Sequence, residues 1–267
     1  MIRDITVGQY YASNSCVHRL DPRVKIIGTL VFVVMLFIIN DIYSYAFSIA
    51  AMAAVIALSK IPTKFIFRGI KSIFFIIFLT GILNLITTRS GEVLFSWGII
   101  KITWPGVVMA IKMIVRLIML IIGSSLLTLT TTPIQLTDGI EILLKPFSKI
   151  GLPSAEIAMM MSIALRFIPT LLDETDKIIK AQQARGADFD TGGIRQKAKS
   201  LIPVLVPLFV SAFRRADELA TAMEARCYHG GNNRTRMNKM QLKAGDFKAS
   251  AAIIAYVAIT FAIMLIL

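Results

Sequence analysis

The residues best suited to chemistry in this sequence are two short tripeptides, each at the end of a predicted helix. Ala184-Arg185-Gly186 closes "AQQARG", and Ala225-Arg226-Cys227 lies within "AMEARCY". The guanidinium of arginine is a planar, permanently charged fork that can hold a carboxylate through two parallel hydrogen bonds. The small side chain of the preceding alanine keeps the helix end narrow where it would meet a partner. A glycine after the arginine permits a left-handed C-cap. The predicted chemistry is therefore the binding of an acidic groove on a partner.

An internal repeat relates the two tripeptides. Four residues recur at one constant step along the chain, in the pairs Asp176 and Asp217, Ala181 and Ala222, Ala184 and Ala225, and Arg185 and Arg226. One arginine at a helix end is ordinary, because the helix macrodipole favours a cation there. Two in register indicate a shared function for the two helix ends.

Two basic residues inside an apolar segment are a second kind of candidate. Lys112 and Arg116 lie four apart on one helix face, with Arg116 near the middle of a predicted span. A cation at that depth costs about 2.5 to 3.5 kcal/mol on the insertion scale. Such a residue marks a functional site, or its side chain turns inward to backbone carbonyls or reaches the membrane surface. The sequence leaves both interpretations open.

Motifs for catalysis and metal binding are absent from the sequence. It contains no HExxH, no GxSxG and no Walker-type glycine loop. Cys16 and Cys227 form no CxxC pair, and His18 and His229 are isolated, so neither a disulfide nor a zinc site is indicated. We expect this chain to be no enzyme and to bind no metal.

The composition points to an integral membrane protein. The 267 residues are 56% hydrophobic, with a mean hydropathy of +0.72. The net charge of +13 fits the basic cytoplasmic loops of membrane proteins. No nucleic-acid-binding motif occurs, so we expect a lipid bilayer and no nucleic acid as the surroundings of the chain.

Apolar segments of spanning length set the organisation of the chain. Five are predicted, at 26–40, 42–58, 72–88, 106–127 and 249–267. Lys and Arg cluster before the first segment and between the second and third, so the positive-inside rule predicts a cytoplasmic amino terminus and an extracellular carboxyl terminus. The expected domains are a cytoplasmic N-terminal segment, four transmembrane helices, a cytoplasmic domain and a last transmembrane helix, at 1–25, 26–127, 128–248 and 249–267.

The segment 128–248 is expected to hold long amphipathic helices. It contains 17 Lys or Arg and 12 Asp or Glu, which suits a surface in water. Residues 152–172 and 201–213 are predicted to lie at the membrane face, with a seven-span topology as the alternative. One helix is expected to begin near Ser154 and bend near Pro169, and the other to begin near Gly193 with Pro203 and Pro207 interrupting it. Candidates for interface packing are these three prolines and the adaptable side chains of Met159, Met160 and Met161.

Two helix starts are predicted from capping residues. Asp21 precedes Pro22 and is expected to cap the first span, with the proline in its first turn. Thr132 precedes Pro133 in the same way and is expected to start the helices of the cytoplasmic domain.

Across nearly its whole length, the sequence resembles the transmembrane T component of energy-coupling factor (ECF) transporters, which are ABC-type importers of vitamins and metals. The likeness is carried by "HRLDPRVK", "LTLTTTP", "LRFIPTLLDE", "AQQARG" and "AMEARCY", which begin at residues 18, 127, 165, 181 and 222. One position departs from the family pattern, since Cys227 stands where the second motif usually has glycine. Cysteine adopts the left-handed cap less readily, so the geometry of the second tip is in doubt.

The resemblance implies an all-α membrane scaffold with about five spans and a cytoplasmic domain of coupling helices. Arg185 and Arg226 would contact two cytosolic ABC ATPases, which bind ATP and Mg²⁺, while this chain binds no cofactor. ATP-driven motion would pass through the coupling helices to a membrane S component that binds the vitamin. Two alternatives remain: a T component dedicated to cobalt or nickel uptake, and a membrane anchor that recruits cytosolic proteins without coupling.

Overall fold

The computed structural model describes residues 10–88, 93–97, 100–151, 153–187, 189, 193–228, 230 and 240–266. Most of them are helical. The helices are α1 (Pro22–Ile38), α2 (Ile42–Ser59), α3 (Thr63–Thr87), α4 (Trp104–Thr130), α5 (Pro133–Leu144), α6 (Ser154–Ala184), α7 (Ile194–Ala225) and α8 (Ala244–Ile266). A 3₁₀ helix, Lys145–Ile150, follows α5. The predicted all-α membrane class is confirmed. His229 lies outside the described residues.

The β-structure among the described residues is one short hairpin. Strands β1 (Val93–Trp97) and β2 (Ile100–Thr103) pair antiparallel, with an irregularity between Val93 and Phe95. They fill most of the predicted loop between the third and fourth apolar segments. Four of the five helices, α1, α3, α4 and α8, begin before their apolar segments. The difference is largest at α3, because polar residues such as Lys64 and Lys71 are good helix formers.

Both predicted caps are present. The Asp21 carboxylate accepts from the backbone N–H of Arg23 at 2.9 Å, and Pro22 is the first residue of α1. At the start of α5 the Thr132 hydroxyl accepts from the Gln135 N–H, and the Gln135 side chain accepts from the Thr132 N–H. This reciprocal pair is a capping box. The threonine was predicted from the sequence, and the glutamine was not.

The described residues form two compact units. One takes in the described residues from Tyr10 to Gly139 and again from Met240, and the other takes in the described residues between Ile140 and Gly230. The first unit contains α1 to α4 and α8, and its core is built from Leu36, Met52, Ile61, Ile66, Met119, Leu126 and Leu129. Gly28 lets α8 approach α1 closely, because a Cβ at that position would lie 2.8 Å from the Cδ1 of Ile253.

Length and apolar composition single out the helices able to cross a membrane. Among the described residues these are α2, α4, α6 and α8, with α3 as a fifth if its two bent parts form one span. α1 has 17 residues, about 26 Å of helix, which is at the short end for a span. Because α6 meets the criterion, length and composition do not separate the predicted membrane-face position of its first half from a spanning one.

The second unit is dominated by α6 and α7. Each is a single assigned helix, of 31 and 32 residues, that continues through Pro169 in α6 and through Pro203 and Pro207 in α7. The expected interruption of α7 is therefore wrong. A proline removes one backbone hydrogen bond and crowds the preceding turn, yet the rest of a long helix can hold it in place.

Candidate functional site

The end of α6 is closed by a Schellman motif. Arg185 is the C-cap residue, and Gly186 follows it in the left-handed conformation with φ of 87°. The N–H of Gly186 donates to the Gln183 carbonyl at 3.0 Å, and the N–H of Ala187 donates to the Gln182 carbonyl at 3.0 Å. These two bonds satisfy carbonyls that a helix end otherwise leaves unpaired. They fix the direction in which the chain leaves the helix.

The end of α7 has the same geometry. Cys227 follows the C-cap residue Arg226 and takes a φ of 55°, so it occupies the left-handed region despite its side chain. Its N–H donates to the Glu224 carbonyl at 2.9 Å, and the N–H of Tyr228 donates to the Met223 carbonyl at 3.0 Å. The doubt about the second tip is thereby resolved, since the hydrogen bonds of the Schellman motif outweigh the steric cost of a left-handed cysteine.

All six residues of the two tips are exposed: Ala184, Arg185, Gly186, Ala225, Arg226 and Cys227. Neither arginine side chain forms an ion pair or hydrogen bond with another described residue. Within the described part of the chain, the donors of each guanidinium are therefore available to a partner. A rigid helix end that presents an unpaired fork between small neighbours is suited to insertion into a groove that carries a carboxylate.

The two tips lie at opposite ends of an antiparallel helix pair. Arg215 of α7 contacts Glu174 of α6 at 2.9 Å, and the Gln182 side chain contacts the Pro203 carbonyl at 3.5 Å. Contacts that advance along α6 therefore move backwards along α7. Pro203 lies beside the end of α6, and the stretch of α7 from Pro203 to Arg226 is roughly 35 Å long at the usual rise of an α-helix. The tips can therefore engage two separate binding sites.

The tip conformation gives a testable prediction at its two left-handed residues. We expect Gly186→Ala to weaken the α6 cap by about 1 kcal/mol, because the Cβ of alanine makes the left-handed backbone conformation less favourable than it is for glycine. Cys227→Gly should strengthen the α7 cap by a similar amount for the same reason. Amide hydrogen exchange at Ala187 and Tyr228 measures both effects, since these N–H groups close the two motifs. Slower exchange at Ala187 in Gly186→Ala would contradict the assignment.

The candidate packing residues lie along the same two helices. Met160 and Met161 are 59% and 38% exposed, and Met159 is partly buried. Pro169, Pro203 and Pro207 are all exposed. α7 also exposes a run of large apolar side chains: Leu201, Ile202, Leu205, Val206, Phe209, Val210 and Phe213. These surfaces are available to lipid or to a membrane partner.

The intramembrane cations Lys112 and Arg116 are held by the turn between α1 and α2. Arg116 donates through Nε to the Tyr45 hydroxyl at 2.9 Å and through Nη2 to the Ile39 carbonyl at 3.0 Å. Its guanidinium also lies 5.8 Å from the ring centre of Phe37. Lys112 donates through Nζ to the Asn40 carbonyl at 2.7 Å. Both cations therefore satisfy carbonyls at the end of α1, which favours the structural interpretation over a functional one.

A matching contact at the other end of α1 explains why a cation is tolerated there. Lys25, near the start of α1, is buried and donates through Nζ to the Thr130 carbonyl at the end of α4. Arg116 of α4 in turn reaches the carbonyl of Ile39. The spacing from Lys25 to Ile39 along the chain equals the spacing from Arg116 to Thr130. Each helix thus places a cation on the C-terminal carbonyls of its antiparallel neighbour, where the helix dipole favours positive charge.

This arrangement predicts unequal effects for the two intramembrane cations. Arg116→Leu should destabilise the protein by about 2 kcal/mol, because the Ile39 carbonyl and the Tyr45 hydroxyl belong to buried residues and would lose their donor. Lys112→Leu should cost under about 1 kcal/mol, because its contact with Asn40 is exposed. Thermal stability in detergent, followed by the loss of the monodisperse chromatographic peak, compares the two. Equal stability of Arg116→Leu and the parent would contradict the structural interpretation.

A buried polar network at the start of α1 and α8 was not predicted from the sequence. The Asp246 carboxylate is 2% exposed and accepts from the backbone N–H of Asp21 and of Lys243, both at 2.7 Å. Burial raises the pKa of Asp21, but hydrogen bonds from Arg23 and its charge outweigh burial and hold that pKa below its usual value. The "HRLDPRVK" stretch could have signalled the network, since it places a cluster of charged side chains beside an apolar span.

His18 joins the N-terminal segment to this network in its neutral form. Burial lowers the pKa of the imidazole below its ordinary value. Nε2 donates to the Tyr11 carbonyl at 2.9 Å, which leaves Nδ1 to accept from the Ser15 hydroxyl at 2.7 Å. Its own carbonyl accepts from Lys25. Among the described residues no group of three or more His, Cys, Asp or Glu could hold a metal ion, and Cys16 and Cys227 are free and exposed.

The fold and the tips define a multi-pass helical membrane protein with a pair of long, arginine-tipped helices. Comparison with known proteins identifies the class further. The family model CbiQ, described as a cobalt transport protein, matches residues 13–237.

Relatives named energy-coupling factor transporter transmembrane protein EcfT match almost the entire chain. Those from Clostridium kluyveri and Bacillus subtilis are 55% and 45% identical over 261 residues, and cover 97% and 98% of both chains. One from Thermosediminibacter oceani is 56% identical over 251 residues, or 94% of each chain. This chain therefore belongs to the EcfT family, the transmembrane T components of ECF transporters.

Proposed function

We propose that this T component couples two cytosolic ABC ATPases to a separate substrate-binding S component in an importer of vitamins or other micronutrients. The observation that carries the proposal is the pair of matching tips. Arg185 and Arg226 end helices with the same cap, both are exposed, and they lie at opposite ends of one antiparallel pair. Two equivalent tips suit two ATPases, one at each tip.

The charge distribution supports a cytoplasmic position for α6, α7 and their tips. Basic residues cluster before α1 and between α2 and α3, which places both regions inside the cell by the positive-inside rule. If the four apolar segments before residue 128 all span the membrane, α6 and α7 would lie on the cytoplasmic side of a bacterial plasma membrane, and a single last span would leave the carboxyl terminus outside. The proposed cytoplasmic coupling domain comprises residues 128–248.

Long helices can carry displacement from the ATPases to the membrane. Closure of the ATPase pair on ATP would move the tips, and α6 and α7 would pass that motion to their apolar halves. Two exposed stretches are available to the S component: one on α6 with Met160, Met161 and Pro169, and one on α7 with Pro203, Pro207 and Phe209. In this scheme the chain is a non-catalytic subunit without a cofactor, and ATP and Mg²⁺ are bound by the ATPases.

A dedicated cobalt or nickel uptake module is the second candidate. It is favoured by the description of the matching family model, whereas the relatives at 45% to 57% identity carry the ECF name. Neither description specifies the substrate of this chain, because the substrate is chosen by the S component. The anchor alternative keeps the tips but predicts no transfer of motion.

Reconstitution separates these functions. The chain is co-expressed with its ATPases and membrane partner, purified, and placed in proteoliposomes; the small molecule or metal that co-purifies is identified by mass spectrometry. We expect ATP-driven uptake of an organic micronutrient. Uptake of Co²⁺ or Ni²⁺ instead would establish the second candidate. ATP hydrolysis without any uptake, in a complex that retains all its subunits, would support the anchor and contradict coupling.

A further inference from the structure

The ion pair between α6 and α7 lies at positions that the internal repeat makes equivalent. Glu174 and Arg215 are separated along the chain by the same step that relates Arg185 to Arg226. Each partner of the ion pair therefore lies equally far before the arginine tip of its own helix. The two helices pair at a point equidistant from both tips.

This contact is specific to one register of the helix pair. Glu174 accepts from Arg215 Nη2 at 2.9 Å, so a single side-chain hydrogen bond joins these two positions of α6 and α7. If α7 slid by one turn toward its amino end, Glu218 would come opposite Glu174, and the two like charges would repel each other. Opposite charges at equivalent positions thus favour the observed alignment.

This ion pair can fix how α6 and α7 are positioned relative to each other, but it contributes little to the stability of the protein. The Arg215 and Glu174 side chains are 35% and 23% exposed, and an ion pair in contact with water adds little to stability. Its geometric effect is large, because each arm from the contact to its tip is about 16 Å long. A rotation of about 10° at the contact would displace each tip by roughly 3 Å, which is the length of a hydrogen bond.

We propose that Glu174 and Arg215 are positioning residues for coupling: they form the pivot, the contact that sets the angle between α6 and α7 and so the positions of the two tips. The inference rests on the proposed function, since it assigns to the pair the transfer of motion between ATPase-bound tips. Neither residue belongs to a tip, so the two roles can be separated by experiment. Loss of the pivot should leave ATPase binding intact and reduce the substrate imported per ATP hydrolysed.

The test is a charge swap in the complete reconstituted complex. Glu174→Arg and Arg215→Glu are made singly and together, with Asp173→Arg as the matched control, because Asp173 is the exposed neighbour of Glu174 on the same helix. We expect each single variant to retain the ATPases and lose at least about fivefold in substrate imported per ATP, because the remaining partner faces no opposite charge. The double variant and the control should stay within about twofold of the parent.

A distance measurement adds a readout that does not depend on transport. Spin labels at Ala184 and Ala225, in a background lacking Cys16 and Cys227, report the separation of the tips by pulsed electron resonance. We expect a narrow distribution in the parent and in the double variant, and a broadened one in each single variant. Unchanged coupling and unchanged distances in both single variants, or failure of the double variant to restore them, would overturn the pivot. Absence of ATP-driven uptake by the parent complex would instead overturn the proposed function.

Discussion

Replacing both tip arginines, by Arg185→Glu with Arg226→Glu, is expected to abolish co-purification of the ATPases and ATP-driven uptake together. Each guanidinium is exposed and unpaired within the described chain, so its donors are available for an acidic groove. A hydrogen bond to a charged group contributes about 1.5 to 3 kcal/mol, which corresponds to a ten- to hundredfold loss of affinity per tip. Reversal of the charge adds repulsion to that loss.

Membrane insertion should be unaffected, because both tips are exposed and lie outside the apolar segments. Each single reversal should release one ATPase more than the other, since the tips lie at opposite ends of the pair. Arg214→Glu is the matched control, as it reverses an exposed arginine of α7 that belongs to neither tip. Full transport by the double variant, or an equal loss of the ATPases from Arg214→Glu, would contradict the assignment of the tips.

Removal of the buried carboxylate of Asp246 is expected to destabilise the unit that contains α1 to α4 and α8 more than any other single change proposed for that unit. Asp246→Ala leaves the N–H groups of Asp21 and Lys243 without an acceptor and removes a negative charge that acts on buried Lys25. Leaving a buried donor without its acceptor costs about 1 to 3 kcal/mol, and two donors lose their acceptor here. The thermal midpoint in detergent should fall by several degrees, as is typical of such losses.

Asp41→Ala supplies the comparison for that variant. Asp41 is the N-cap residue of α2, but its carboxylate makes no capping hydrogen bond, so its removal should change the thermal midpoint little. A small effect of Asp246→Ala, equal to that of Asp41→Ala, would show that the network adds no stability.

The sequence predicted the features that depend on local chemistry. Asp21 and Thr132 were recognised as caps because a helix start needs only a side-chain acceptor and a following proline. The tips were recognised from the recurrence of alanine and arginine at one step. These inferences concern residues within a few positions of each other, or a repeat that can be read directly along the chain.

Long-range contacts could not be predicted in the same way. Asp246 is far from Asp21 along the chain, and nothing in its neighbourhood shows which N–H group it would accept from. The structural role of Arg116 depends on the carbonyl of Ile39 at the end of another helix, so the sequence left two interpretations open. The conformation of Cys227 was also undecided, because propensity opposes the left-handed region while the surrounding hydrogen bonds enforce it. The continuity of α7 through two prolines is a further case in which context overrode propensity.

Cys227 offers a direct measurement of the central claim, that the arginine tips dock into the ATPases. The thiol is free, exposed and adjacent to Arg226, and in a Cys16→Ser background it is the only thiol of this chain. Its rate of modification by a water-soluble maleimide is measured in the chain alone and in its complex with cysteine-free ATPases. The account predicts at least about tenfold slower modification in the complex, because a tip in a groove is excluded from water, and recovery of the free rate with Arg226→Glu. An equal rate with and without bound ATPases would contradict it.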